Sequence, residues 1–110
     1  MKNLSANEIV LVRYPFSDLS LSKIRPAVII SSPHASQDII IVPLTSRTIQ
    51  LQEGEFVLEH WKTAGLNVPS SVKRGIFTIS KSIVIKSVGK LQDTDARRLE
   101  MSVKSWLCWR

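Results

Sequence analysis

Cysteine and histidine are nearly absent from this sequence of 110 residues. Cys108 is its one cysteine, so no disulfide can form within the chain, and such scarcity is typical of a reducing compartment. The two histidines, His34 and His60, do not complete the usual Cys/His ligand spacing of a zinc site. We therefore expect neither a bound metal nor another cofactor.

Long apolar runs are also missing. A stretch such as residues 39–42 is far shorter than the roughly 20 residues that span a bilayer. Residues 1–7 lack the apolar segment of a signal peptide. The sequence therefore predicts a cytoplasmic protein with no membrane partner.

Acidic residues are scarce, with 9 Asp and Glu against 15 Lys and Arg, a net charge of +6 and a pI near 9.9. This excess favours a polyanionic partner, which includes nucleic acid, an anionic membrane surface and an acidic protein. Charge alone does not separate these classes, and many small basic proteins have no such partner. The partner class has to come from the motifs.

Hydrophobic patterning indicates a mainly β protein. β-branched and apolar runs predict strands at residues 8–14, 26–31, 38–42, 55–58, 76–80 and 82–88. Pro43 should end the third strand, and the unbroken apolar run of that strand predicts burial on both faces. Many short strands in a chain of this length favour one domain, residues 1–110, built on a strongly bent antiparallel sheet or barrel.

Two helices are expected beside this sheet. Residues 59–64 are typical of a short helix closed by Gly65. Asp93 is a good N-cap for a second helix, in which apolar residues recur at helical spacing and predict one buried stripe. These residues are Ala96, Leu99, Val103, Trp106 and Leu107.

Five sequence blocks resemble, in their order and spacing, the MazF/PemK-like toxins. They are IVLVRYPFSDLS (residues 9–20), KIRPAVIIS (23–31), IIIVPLTSR (39–47), WKTAGLNVPSSV (61–72) and FTISKSIVIKSVGKL (77–91). Each block is weak alone, because Arg-Pro before apolar residues is common. Together the blocks form a strong joint signal, and the resemblance extends from about residue 8 to residue 99.

The resemblance implies an SH3-like barrel of the MazF/Kid/CcdB plasmid-maintenance toxin type, usually a homodimer, with a C-terminal helix. It implies the toxin of a type II toxin–antitoxin system, a metal-independent endoribonuclease that cuts single-stranded RNA such as mRNA at short specific sequences. A cognate antitoxin silences such a toxin, and promoter DNA is a further partner through the antitoxin complex.

A non-catalytic protein of the same fold is the alternative. Related toxins poison DNA gyrase and rely on a C-terminus that ends in Trp-Gly-Ile, whereas this chain ends in WLCWR at residues 106–110. A DNA- or RNA-binding module is also open at this point.

Three positions depart from the family pattern. Asn7 stands where the family usually has Gly, and Asn tolerates a positive φ better than most residues. Leu21 replaces a Gly of the first loop, which bears on substrate preference. The segment Lys73-Arg74-Gly75 also differs. The departures at Leu21 and Gly75 leave open a decayed toxin that folds but no longer acts.

The reaction that the resemblance implies needs few protein groups. The 2′-hydroxyl of RNA attacks the adjacent phosphorus, leaving a 2′,3′-cyclic phosphate and a 5′-hydroxyl, and the enzyme aligns the groups and stabilises the added charge. The resemblance assigns the catalytic Arg and Thr to Arg25 and Thr45. A guanidinium forks onto two phosphate oxygens, and a threonine hydroxyl can donate to another. In an antiparallel arrangement a strand start and a neighbouring strand end share one rim.

Other site residues are less constrained by the sequence. Histidine is a common proton-transfer group, so His34 is a candidate, and Asp18 and Ser46 could orient such a group. A turn role for His34 and a loop-capping role for Asp18 are the favoured alternatives. Basic residues, with one aromatic residue that could stack a base, are the expected RNA contacts. They are Arg13, Phe16, Lys23, Arg47, Lys73, Arg74 and Lys81.

Overall fold

The computed structural model describes residues 4–14, 23–32 and 34–109. Its strands are β1 (Glu8–Tyr14), β2 (Lys23–Ile29), β3 (Asp38–Thr45), β4 (Phe56–Val57), β5 (Ser71–Val72), β6 (Phe77–Ser80) and β7 (Val84–Lys90). A 3-10 turn, Lys81–Ile83, precedes β7, and the helix α1 spans Asp93–Trp106. The predicted mainly β fold with a C-terminal helix is confirmed. Within the described ranges, no helix combines the length and hydropathy that a membrane crossing requires.

The sheet is organised around β3. The strands follow the order β4-β5-β3-β2-β1-β7, with β6 also paired to β3, and every pairing is antiparallel. β2 lies along one edge of β3, while β6 and then β5 pair with successive parts of its other edge. β4 and β7 are the outer strands, so the sheet of the described residues is barrel-like without being closed.

Alternation along the strands produces two hydrophobic clusters, because successive side chains point to opposite faces of a sheet. In β1, Ile9 belongs to one cluster, whereas Val10 and Val12 belong to the other. Leu99 of α1 packs into the cluster of Ile9. Each fully buried aliphatic side chain contributes about 1.5–3 kcal/mol to the free energy of folding. Because the sheet is bent, both of its faces bury such side chains, which enlarges the core of a small protein.

The prediction that Pro43 ends the third strand is wrong, because β3 continues to Thr45. Pro43 pairs with Ala27 of β2, but its carbonyl accepts a hydrogen bond from the N–H of Lys73 on the other edge, at 2.9 Å. The nitrogen of a strand residue points to the same edge as its carbonyl. The missing N–H of Pro43 therefore costs no hydrogen bond between β2 and β3.

The third strand is also less buried than its apolar run predicts. Ile39 and Ile41 are buried, but Ile40 is 36% exposed. Ile40 pairs with the exposed Thr78 of β6. One face of the strand is therefore partly open at this position, and full burial on both faces is wrong there.

Several predicted boundaries shift. β2 begins at Lys23 instead of residue 26, and β7 begins at Val84, after the 3-10 turn. The two-residue strand β5 was missed, because Ser71–Val72 follows a Pro-Ser segment that is typical of a loop. Asn7 adopts φ 72°, as its place in the family pattern allows, and its carbonyl accepts from the N–H of Leu91 at 2.8 Å.

The predicted helix at residues 59–64 is a series of hydrogen-bonded turns. The N–H of Ala64 donates to the carbonyl of His60 at 3.0 Å, and the N–H of Gly65 donates to the carbonyl of Lys62 at 3.1 Å. Gly65 has φ 103°, which confirms its role in ending the segment, since this region of φ favours glycine. The turns do not propagate into a helix.

Helix α1 follows the predicted stripe with two corrections. Gln92 occupies the N-cap and Asp93 is the first helical residue, so the predicted cap lies one residue too late. Leu107 is the C-cap and is 51% exposed, so it lies outside the buried stripe. The remaining stripe residues pack on the core as expected. They are Ala96, Leu99, Val103 and Trp106.

Candidate active site at the divergence of β2 and β3

Arg25 and Thr45 lie where two paired strands part. The β2–β3 ladder pairs Ala27 with Pro43 and continues inward from there. Arg25 and Thr45 are each two residues beyond that pair, on the outward side. Thr45 instead pairs with Ser71 of β5, while Arg25 remains paired with Val12 of β1. Continuing the register would set Arg25 opposite Thr45, and the separation of the strands leaves an opening between them.

A groove of about 540 Å³ occupies this opening. We call it the β2–β3 groove. Residues of β1, β2, β3, β7 and the segment 65–70 line it. They are Leu11, Ile24, Arg25, Pro26, Leu44, Thr45, Ser46, Gly65, Leu66, Asn67, Val68, Ser70, Lys86, Ser87 and Val88.

Two glycines fix one wall of the groove. A Cβ on Gly89 of β7 would collide with the carbonyl of Ala64, and a Cβ on Gly65 would collide with the carbonyl of Val88. The backbone of Ala64 and Gly65, where segment 65–70 begins, therefore packs directly against the backbone of β7. Glycine at both positions is what allows this close approach.

Asp95 anchors the turns that lead into this wall. Its side chain is fully buried in α1, and its two carboxylate oxygens accept from the N–H groups of Glu59 and His60, each at 2.9 Å. Hydrogen bonds to a charged acceptor are stronger than neutral ones, contributing about 1.5–3 kcal/mol each. The carboxylate thus ties α1 to the turn segment, a role that the sequence analysis did not assign to it.

The hydroxyl of Thr45 is held with its own proton free to donate. Its oxygen accepts from the N–H of Arg47 at 3.2 Å. The guanidinium of Arg47 is turned to its own loop, donating to the carbonyl of Ile49 at 3.2 Å and to Oε1 of Gln50 at 3.0 Å. No hydrogen bond among the described residues uses the Thr45 hydroxyl as its donor, so the O–H remains available to a group in the groove.

The charged lining of the groove is entirely positive. Among the described lining residues, Arg25 and Lys86 carry charge, and no lining side chain is acidic. The remaining polar groups include hydroxyls and the amide of Asn67. Cations and neutral donors without a competing carboxylate suit a phosphate-bearing ligand.

Glu55 ties two basic loops together beside β3. Its carboxylate accepts from the N–H groups of Gln52 and Arg74, at 2.7 and 2.8 Å. Burial by itself would raise the pKa of this carboxyl. The two N–H bonds and the charges of Lys73 and Arg47 outweigh burial and hold the pKa below its ordinary value of 4.5. The loops that carry these three basic residues are therefore held in fixed relation.

Three of the predicted site residues meet in the β2–β3 groove, namely Arg25, Thr45 and Ser46. The imidazole of His34 lies in the turn before β3, where its Nδ1 is 3.0 Å from Oγ of Ser36. Phe16 and Asp18, with Leu21, fall outside the described residues. Other expected RNA contacts do not belong to the groove lining. They are Arg13, Lys23, Arg47, Lys73, Arg74 and Lys81.

Lys86, Ser87 and Asn67 line the groove without having been singled out from the sequence. In the sequence, Lys86 is only one polar residue of an alternating strand pattern, and Asn67 is a residue of a loop. No local pattern distinguishes them from solvent-exposed residues. Their relevance comes from the packing of β7 and segment 65–70 around the opening.

Comparison with known proteins identifies the family. Residues 5–107 match the family described as PemK-like, MazF-like toxin of type II toxin–antitoxin system. A comparison with curated protein sequences gave no match.

Solved structures share the fold at low sequence identity. A mycobacterial endoribonuclease in complex with its cognate antitoxin is 15% identical, with a TM-score of 0.77 over 100% of this chain and 98% of that one. The Mycobacterium tuberculosis toxin MazF-mt6 is 20% identical, with a TM-score of 0.75 over 94% and 98%. MazE–MazF from Deinococcus radiodurans is 15% identical, with a TM-score of 0.80 over 100% of both chains. With a family match over nearly its whole length, the chain belongs to the PemK-like and MazF-like toxins of type II toxin–antitoxin systems.

Proposed function

We propose that this toxin is an endoribonuclease that cleaves single-stranded RNA, such as mRNA, at short specific sequences. The observation that carries the proposal is the convergence of Arg25 and Thr45 on one groove whose described lining is cationic and free of carboxylates. The net charge of +6 agrees with a polyanionic substrate. Cellular RNA as substrate implies action in the cytoplasm, which the single cysteine also favours.

Arg25 stabilises the transition state in this proposal. Its guanidinium is planar and permanently charged, so it can hold two nonbridging oxygens of the scissile phosphate as the 2′-hydroxyl attacks. Arg25 sits within β2 and is followed by Pro26, whose ring restricts the backbone. A donor fixed before the reaction stabilises developing charge without reorganising during it.

Thr45 supplies the second donor. Its oxygen accepts from the N–H of Arg47, and none of the described residues accepts from its O–H, so the proton is free for a phosphate oxygen or for the 2′-hydroxyl. Ser46 lines the same groove and is the nearest candidate in sequence for orienting a proton. The reaction needs no metal in this scheme, since the 2′-hydroxyl is the nucleophile and protein donors carry the charge.

A cognate antitoxin and a second copy of the chain are the proposed protein partners. Two structural neighbours are complexes, one of a mycobacterial endoribonuclease with its cognate antitoxin and one of MazE with MazF. The basic charge of this chain favours an acidic antitoxin segment. Sedimentation of the purified protein alone would test the homodimer, and co-purification with the product of the adjacent gene would test the antitoxin and promoter binding.

The test of the proposed activity is end mapping after induction. Wild type should produce RNA fragments with 2′,3′-cyclic phosphate and 5′-hydroxyl ends, and Arg25→Ala should abolish them while circular dichroism stays unchanged. Arg25→Lys keeps the charge and removes the fork, so it should also be severely impaired. Arg97→Ala, on the exposed face of α1, is the matched control and should cut normally. Growth arrest without such ends would refute the ribonuclease and favour a poison of a protein target.

A further inference from the structure

Lys86 of β7 lines the β2–β3 groove, as Arg25 of β2 does. It pairs with Leu11 of β1, and Leu11 pairs with Pro26 of β2, so the three residues form a row across three strands. Neighbouring strands are about 4.8 Å apart, which puts the backbone of Lys86 roughly 10 Å from β2. The groove therefore has one cationic residue on β7 and another on β2, two strands away.

Two irregularities in β7 flank Lys86 and Ser87, which themselves pair with Leu11 and Val10 of β1. Gly89 pairs with Ile9 and Ser87 with Val10, so one residue is skipped; a second is skipped between Lys86 and Val84. Bulges bend a strand and redirect its side chains, and they are frequent beside active sites. The Lys86–Ser87 pair thus occupies a specially shaped stretch of β7 at the groove.

Among the described residues, no ion pair neutralises the charge of Lys86. The ion pairs of His60 with Glu59 and of Lys104 with Glu100 do not involve it. Lys86 is exposed, and the described lining of the groove offers it no carboxylate. Two like charges in one groove repel each other, and an anionic ligand that contacts both relieves that repulsion.

We propose that Lys86 binds a second phosphate of the RNA strand, distinct from the scissile phosphate at Arg25. The inference rests on the proposed function, because it takes the groove to hold RNA. A lysine ammonium is a mobile point charge without the fork of arginine, which suits a phosphate that is held but does not react. Two phosphates held by residues of two different strands, β2 and β7, set the direction in which the RNA passes Thr45.

Binding of an uncleavable strand tests this inference without any need for catalysis. The probe is a fluorescent mixed-sequence 2′-O-methyl RNA, titrated at several salt concentrations against wild type, Lys86→Gln and Lys90→Gln. Lys90 lies on the same strand, is exposed and is outside the groove lining. Loss of one phosphate contact should lower the slope of log K against log salt by about 0.7 for Lys86→Gln, and Lys90→Gln should keep the wild-type slope. Equal slopes for all three proteins overturn the proposal.

A cleavage assay shows which phosphate is involved. Around the cut site mapped for wild type, each non-scissile phosphate of a short RNA is replaced in turn by a neutral methylphosphonate. One replacement should raise KM for wild type and have no further effect on Lys86→Gln, with kcat nearly unchanged. If every replacement adds to the effect of Lys86→Gln, the second phosphate contact is refuted.

The two hypotheses fail separately. Cleavage by wild type with an unchanged salt slope for Lys86→Gln would refute the role of Lys86 and leave the ribonuclease intact. A reduced slope without any cleavage would support the phosphate contact and refute the ribonuclease. Absence of any RNA binding would refute both.

Discussion

Arg25 and Thr45 occupy matching positions on β2 and β3, each two residues beyond the last paired residues, Ala27 and Pro43. Had the ladder continued, the two would be direct cross-strand neighbours about 5 Å apart. Instead, the β2–β3 pairing stops, Thr45 pairs with Ser71 of β5 on the other edge of β3, and the space between Arg25 and Thr45 becomes part of a groove. A ligand, and not a cross-strand contact, can therefore bridge them.

Removing the hydroxyl of Thr45 should impair the chemical step. Thr45→Val preserves shape but removes the donor, and we expect single-turnover cleavage to fall on the order of a hundredfold. Thr45→Ser keeps the hydroxyl and should retain most activity. If Thr45→Val cuts as fast as Thr45→Ser, the hydroxyl has no part in the reaction.

Chelation should leave cleavage unchanged, whereas the substrate's own hydroxyl should be essential. We expect EDTA to have no effect on the rate, and a single 2′-deoxy nucleotide on the 5′ side of the cut to abolish cleavage. Both follow from a nucleophile supplied by RNA. Loss of activity in EDTA that added Mg²⁺ or Zn²⁺ restores would contradict the metal-free scheme.

Gly89→Ala should damage the groove. The added methyl meets the carbonyl of Ala64, and backbone cannot yield as a side-chain tip can. Gly75→Ala is the matched control, because its methyl meets the exposed ring of Phe77 at 2.8 Å and has no positive φ to strain it. We expect a lower Tm and reduced cleavage for Gly89→Ala, with little change in Gly75→Ala. Equal Tm values for the two variants would show that segment 65–70 does not depend on this contact.

Asp95 and Ser71 should respond in opposite ways to removal of their polar groups. Asp95→Ala leaves the N–H groups of Glu59 and His60 without their acceptor, which should cost about 2 kcal/mol or more. The buried Oγ of Ser71 has no hydrogen-bond partner among the described residues, so Ser71→Ala should be neutral or slightly stabilising. Urea denaturation measures both. A large loss in Ser71→Ala would reveal a partner for its hydroxyl.

Glu55 should make stability depend on acidic pH. Its folded-state pKa is lowered, so its stabilising effect is complete above its ordinary pKa of 4.5 and is lost as pH falls through the lower folded value. Glu55→Gln should therefore be less stable than wild type near neutral pH, with the difference shrinking below about pH 4.5. Denaturation curves between neutral and acidic pH measure this. A difference that stays constant with pH would mean that Glu55 stabilises only through its shape.

Local patterns carried the prediction of the strands but not of their ends. β1 and α1 follow from alternation and helical spacing over many residues. The prediction that Pro43 ends β3 is wrong because sequence does not tell which edge of a strand its nitrogen faces. The turns at residues 59–64 read as a helix, since the buried carboxylate of Asp95 that binds their first N–H groups comes from far along the chain.

Some residues of the candidate site could likewise be predicted from the sequence, and others could not. Arg25 and Thr45 were identified through a resemblance spread over nearly the whole chain, and they do lie at one groove. Lys86 and Asn67 were missed, because an exposed lysine in a strand and an asparagine in a loop have no local signature. They join the groove only once β7 and segment 65–70 pack against each other.

The amino-acid sequence by itself determined the mainly β class, the basic charge, the C-terminal helix and the family, since these depend on periodicity, composition and motifs that are read along the chain. Tertiary structure alone decided where β2 and β3 part, which cations share the opening, and which buried carboxylate holds its wall. The physical reason is that register and close backbone approach are set by contacts between segments distant in sequence. Such contacts depend on the shape of the whole core, and no short stretch of residues contains that information.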